Sequence, residues 1–169
     1  MLHIFMEGPD DKRFFTKIYG DYFGCFNPIL YAGWPPAKIN NFIYSITCMP
    51  DSDYIFFGDA DGKTIEEKKN ILISRYPNLD SRKVFIVQYE IESWYYAGVS
   101  TTVCQKLKMK QDIYNTDNLT KEDFNAKLPQ KVDRKFIMSQ ILELYELNLA
   151  ISRNTSLSRF NAYMKKESA

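Results

Sequence analysis

The sequence predicts an α/β fold: a three-layer domain on a parallel sheet of about four strands, with further helices in the C-terminal part. Short apolar runs alternate with helix-like stretches through the first half. Two of those runs end in acidic clusters, Glu7-Gly8-Pro9-Asp10-Asp11 after Leu2 to Met6 and Asp59-Ala60-Asp61-Gly62 after Tyr54 to Phe57. Between the clusters there is room for a helix, a strand and another helix, which suits neighbouring parallel strands joined by crossovers.

Taken in order, Leu2 to Met6 is the first strand. Asp10 to Tyr19 carries Phe14, Phe15 and Ile18 on one helical face. Asn27 to Tyr31 is a weaker strand closed by Gly33. Pro35 and Pro36 suit the first turn of a helix whose stripe is Ile39, Phe42, Ile43 and Ile46. Tyr54 to Phe57 is the third strand. Thr64 to Arg75 reads as a charged surface helix with Ile65, Lys68, Leu72 and Arg75 close on its wheel, and Val84 to Val87 is apolar throughout, as an interior parallel strand should be. Beyond Glu92 the character changes. Trp94 to Leu107 turns from apolar to basic, and Asp112 to Leu119 reads as a polar loop. Thr120 with Asp123 forms a capping box for a helix that stops before Pro129. Asp133 caps a longer helix with Phe136, Ile137, Ile141, Leu144, Tyr145 and Leu149 inward. Ser156 or Ser158 caps a last helix through Phe160 and Met164. The expected organisation is an α/β core over residues 1–100 and a helical extension over 101–169, packed as a single domain.

Composition bounds the function. At 169 residues, 45% apolar and 15% aromatic, the chain has ample core for one domain. A net charge of +1 shows neither the basicity of a dedicated nucleic-acid binder nor the acidity of a solvated tail. Cys25, Cys48 and Cys104 are widely spaced with no CxxC pair, which argues for free buried thiols rather than disulfides or structural zinc. The N-terminus enters a strand at once, carries Glu7 and Asp10 early and lacks signal-peptide regions. No apolar run approaches the ~18 to 20 residues that span a bilayer. A cytoplasmic location without membrane contact is expected, which makes the sequons at Asn118 and Asn154 chance matches.

Carboxylates gathered at adjacent strand ends raise one another's pKa unless a cation neutralises them. Oxygen-only ligands favour Mg2+ or Mn2+ over zinc, and without its cation such a cluster should be strained. The segment Ile4 to Phe15, with Glu7-Gly8-Pro9-Asp10 at its centre, resembles the first motif of TOPRIM domains, a hydrophobic strand followed by Glu-Gly-x-x-Asp and an amphipathic helix. Tyr54 to Gly62, with Asp59-Ala60-Asp61, is similar to the second, a strand followed by Asp-x-Asp. Gln88-Tyr89-Glu90-Ile91-Glu92-Ser93-Trp94 resembles a Glu-x-Trp pattern of OLD-like TOPRIM proteins and of a related family of small ones. The resemblance covers roughly the first 100 residues, in order. It implies a compact TOPRIM/Rossmann-like fold and Mg2+-dependent or Mn2+-dependent chemistry on the phosphodiesters of DNA or RNA.

The residues permit that chemistry when read by themselves. Asp59 and Asp61 alternate about a strand end, and a turn at Gly62 lets both reach one cation. Glu7 is a second ligand or a general acid or base, and Glu92 or Glu90 would extend the cluster toward a second metal, with Glu92 the one expected to turn inward. Asp11, one helical turn in, is placed to hold a ligand or a water. Plainer readings stand beside these: a strand-to-helix turn with Asp10 as N-cap, a turn rich in its favoured residues at Asp59 to Gly62, and packing for Trp94, Tyr95 and Tyr96. Lys106, Lys108, Lys110, Lys131, Arg134 and Lys135 form the most basic stretch, either a solvated face or a phosphate-contacting surface represented by Lys108 and Lys135.

The expected function is therefore a metal-dependent nuclease or related phosphodiester-processing enzyme. With no Gly-x-x-x-x-Gly-Lys-Ser/Thr loop, any ATPase partner is a separately encoded chain. The alternatives are a non-catalytic nucleic-acid-binding or accessory subunit and a receiver-type phosphoacceptor domain. The latter expects Ser or Thr after the fourth strand, where this chain has Gln88-Tyr89-Glu90, and a Lys after a fifth strand.

Overall fold

β1 (Leu2–Met6), β2 (Phe26–Leu30), β3 (Asp53–Asp59) and β4 (Val84–Val87) run parallel in one sheet of order β2-β1-β3-β4. This computed structural model describes residues 1–111 and 114–167. Its residues form two units, Met1–Val87 and Gln88–Ala169. The strand order reverses between β1 and β3, so the connections leave β1 and β3 toward opposite edges. Such a switch point opens a crevice beyond the carboxyl ends of the two strands.

Helices α1 (Pro9–Ile18) and α2 (Gly20–Phe23) lead from β1 to β2, α3 (Pro36–Thr47) from β2 to β3, and α4 (Ile65–Arg75) from β3 to β4. Alternation along the strands divides the side chains between the faces. Phe5 and Phe56 stack at 5.3 Å and are buried with Ile39, Ile43 and Ile46 of α3 and Leu72 of α4. Phe57, next in sequence, points to the other face and meets Phe15 of α1 at 4.2 Å. The result is the three-layer arrangement expected for the first part of the chain. β3 is longer than the apolar run suggests, because Gly58 and Asp59 keep the ladder to β4, with Asp59 opposite Val87.

The second unit is helical: α5 (Glu92–Ala97), α6 (Thr101–Leu107), α7 (Lys121–Lys127), α8 (Arg134–Glu143), α9 (Leu147–Arg153) and α10 (Thr155–Glu167). The boundary at Val87 precedes residue 100 because α5 packs against α7, α8 and α9 of this unit. Trp94 stacks on Phe160 at 5.8 Å within its core. Asp112, the expected start of the polar loop, lies outside the described residues.

Several local expectations change. The apolar stretch from Trp94 breaks at Gly98, giving α5 and α6. The helix capped by Asp133 ends at Glu143, and Phe136 is 57% exposed rather than inward. The break lets Tyr145 donate its hydroxyl to the Trp94 carbonyl at 2.7 Å. The last helix begins at Thr155 and is capped by Asn154, whose Oδ1 accepts the Leu157 N–H at 3.0 Å. Ser156 is instead buried, accepting the Trp94 indole N–H at 2.9 Å. Cys104 is buried, but Cys25 and Cys48 are exposed because they lie in the segments flanking β2 and α3. Among the described residues no helix is long and apolar enough to cross a membrane.

Candidate active site at the carboxyl edge of the sheet

Glu7 is the first residue beyond β1, Tyr31 the first beyond β2, and Asp59 the last of β3. Parallel register brings these ends together: Phe5 pairs with Phe56, Met6 with Leu30, and the Tyr31 N–H reaches the Met6 carbonyl at 3.0 Å. Glu7 Oε1 accepts the backbone N–H of Asp59 at 3.0 Å and lies 3.2 Å from the Tyr31 hydroxyl. That hydroxyl is also 2.8 Å from the Phe57 carbonyl, so its single proton is divided between two acceptors. Burial, then the charges of Glu7 and Asp59, push the Tyr31 phenol well above its ordinary pKa. It is therefore a neutral donor at physiological pH.

Gly58 leaves room for Leu72 behind this cluster. A Cβ there would stand 3.7 Å from Glu7 Oε1 and 3.6 Å from the Tyr31 hydroxyl, and 2.9 Å from Leu72 Cδ1. Beyond the buried Asp59 the chain turns sharply. Asp61 and Gly62 both have positive φ, 51° and 78°, and the Lys63 N–H returns to the Ala60 carbonyl at 3.0 Å. This is the pattern of a type I′ turn, which favours Asp-Gly. The plainer reading of these residues, a turn rich in its favoured residues, is what the backbone adopts, and the turn chemistry sets where the Asp61 carboxylate projects.

A cation already faces this cluster. Lys68 of α4 places Nζ 2.6 Å from Asp61 Oδ2 and 4.0 Å from Glu7 Oε1, with its side chain only 14% exposed. Thr64 and Glu67 fix the start of α4 by a capping box, the Glu67 N–H reaching Thr64 Oγ1 at 3.1 Å and Glu67 Oε2 accepting the Thr64 N–H at 2.8 Å. Lys68 falls on the first turn thereafter, on the same side as buried Leu72. This ammonium faces two of the acids, Asp61 and Glu7, and opposes their mutual repulsion. Among the described residues no group of three or more His, Cys, Asp or Glu side chains is placed to hold a metal ion as they stand.

Asp11 is buried, and its Oδ2 accepts the Gly8 N–H at 3.0 Å. The N-cap of α1 is Gly8, not Asp10, which pairs with Arg13 at 2.8 Å. Asp11 thereby orders the turn that carries Glu7.

Glu92 belongs to the second unit. It is buried, with Ile91 and Trp94 beside it in sequence also buried, and its Oε1 accepts from Arg134 Nη2. Burial raises its pKa, opposed by its own backbone N–H and by Arg134. Glu90 is half-buried and accepts the Lys121 N–H at 2.8 Å, at the start of α7. Lys108 ends α6 in a left-handed conformation, φ 55°, and both it and Lys135 are exposed.

Tyr31 and Lys68 are the site residues that sequence reasoning missed. Tyr31 follows a strand whose end lies on the acidic edge. Lys68 is a lysine on the apolar side of a helix, a position that calls for a buried partner. Comparison of the chain with protein-family models, with curated proteins and with solved structures finds no match.

Proposed function

We propose that this chain is a metal-dependent nuclease or related phosphodiester-processing enzyme of TOPRIM type, acting on DNA or RNA. The observation that carries the reading is the Lys68 ammonium between Asp61 and Glu7, at the switch point of a parallel sheet. A positive charge is stabilised there by oxygen donors alone, the donor chemistry of Mg2+ or Mn2+. Glu7, Asp59 and Asp61 would hold that cation. When bound, it supplies charge neutralisation of the phosphodiester and an activated water.

The residues define the remaining roles. Glu7 is positioned by the Asp59 N–H and by Tyr31, which fixes one carboxylate oxygen and leaves the group as an acceptor for a water proton. Tyr31, kept neutral, orients Glu7 without adding charge. Lys68 balances the charge of Asp61 and Glu7, and with the site loaded its ammonium would be available to pair with a phosphate oxygen. Asp11 holds the Glu7-Gly8 turn in place. We place the enzyme in the cytoplasm, with any ATPase partner supplied by another chain. The test is Mn2+-dependent cleavage of single-stranded and double-stranded DNA and RNA, beside Asp59→Ala. Cleavage by the wild type alone supports the reading, and equal cleavage by the variant refutes it.

A further inference from the structure

The second unit contains a cleft of about 750 Å3 that the acidic site does not use. Lys108, Lys110 and Arg134 line it, and among the described residues none of those lining it is acidic. Asn125 and Gln130 add side-chain amides, and Leu128 and Val132 an apolar wall. Asp133, the acid nearest in sequence, is engaged as the N-cap of α8, accepting the Phe136 N–H at 2.8 Å.

The fold fixes the Arg134 guanidinium and the backbone that carries the two lysines. Arg134 Nε donates to Asn125 Oδ1 at 2.9 Å and Nη2 to the buried Glu92, so its plane is fixed. The Lys110 backbone is anchored on both sides, its N–H to the Lys127 carbonyl at 3.0 Å and its carbonyl to the Tyr96 hydroxyl at 2.7 Å. Lys108 sits at the left-handed end of α6, which turns the chain into the cleft wall. A fixed guanidinium with flanking ammoniums suits the doubly charged oxygens of a phosphate monoester. The cleft has the size of a small-ligand site, and its amides and apolar wall suit a nucleoside.

We infer that this cleft binds the terminal phosphate of a nucleotide, either free or at the 5′ end of a nucleic-acid strand. The inference deepens the nuclease reading by giving a second recognition point on the substrate, and it needs no metal. Binding of 3′-labelled oligonucleotides carrying a 5′-phosphate or a 5′-hydroxyl, measured on the full chain in EDTA, tests it. The phosphorylated strand should bind about tenfold more tightly, the value of a charge-assisted contact. The double variant Lys108→Ser/Lys110→Ser, at exposed positions, should lose that preference with an unchanged thermal melt. Displacement by adenosine monophosphate would identify a free nucleotide as a sufficient ligand, and displacement by phosphorylated strands alone would identify the strand end. Equal affinity for the two oligonucleotides, or a preference that survives in the double variant, overturns the inference. A phosphate preference without Mn2+-dependent cleavage would refute only the nuclease reading, and cleavage without the preference only this one.

Discussion

Lys68 Nζ lies 2.6 Å from Asp61 Oδ2, a contact that ties the second acid of the Asp-x-Asp segment to the helix following it. Carboxylate repulsion alone would make Asp61→Asn neutral or stabilising. With this pair in place the substitution should instead cost about 1 kcal/mol, the scale of a half-exposed ion pair. Chemical denaturation in EDTA measures the difference.

Glu7→Gln keeps an oxygen for the Asp59 N–H and the Tyr31 hydroxyl but removes the charge. It should fold with a melt within a few degrees of wild type and lose metal-dependent cleavage. Tyr31→Phe removes the hydroxyl that donates to the Phe57 carbonyl and to Glu7, with an expected cost of about 1–3 kcal/mol. Retained cleavage in Glu7→Gln would remove Glu7 from the site.

Glu92 gives a pH signature. Its folded-state pKa is raised above 4.5, chiefly by burial. Between the unfolded and folded values the folded chain binds more protons, so this group's contribution to stability falls as pH rises through that window. Glu92→Gln removes the titration while keeping an acceptor for Arg134. Its stability relative to wild type should therefore improve from pH 4 to pH 7, as read by melts across that range. A difference that does not change with pH would show that burial does not govern this carboxylate.

Gly98 is where the apolar stretch from Trp94 breaks. A Cβ there would clash with the ring of Tyr145, whose hydroxyl donates to the Trp94 carbonyl. Gly98→Ala should destabilise by about 1–3 kcal/mol through overpacking, visible as a lower denaturation midpoint.

These cases show what was legible in the sequence. The strands were readable because fully buried parallel strands are continuous apolar runs, and the caps at Thr64 with Glu67 and Thr120 with Asp123 follow from local chemistry. Glu7, Asp59 and Asp61 were readable because turn and strand-end residues sit next to the runs that place them. Tyr31 and Lys68 were not: the partners of Tyr31, Glu7 and Phe57, are distant in sequence, and Lys68 meets Asp61 only through the turn at Gly62 and Glu7 only through the sheet. The end of α8 was missed for a related reason. The apolar period runs on through Leu144 and Tyr145, but Tyr145 is recruited by Trp94 and Gly98 and the helix stops.

The central claim is that the acidic edge of the sheet is a divalent-cation site held in reserve by Lys68. Titration of Mn2+ into the metal-free protein, followed by the electron paramagnetic resonance of the free ion, tests it most directly. The account predicts saturable binding by wild type, loss of that binding in Asp59→Ala, and tighter binding in Lys68→Met, where no ammonium has to be displaced. Absence of saturable binding in wild type, or equal binding in Asp59→Ala, would contradict it.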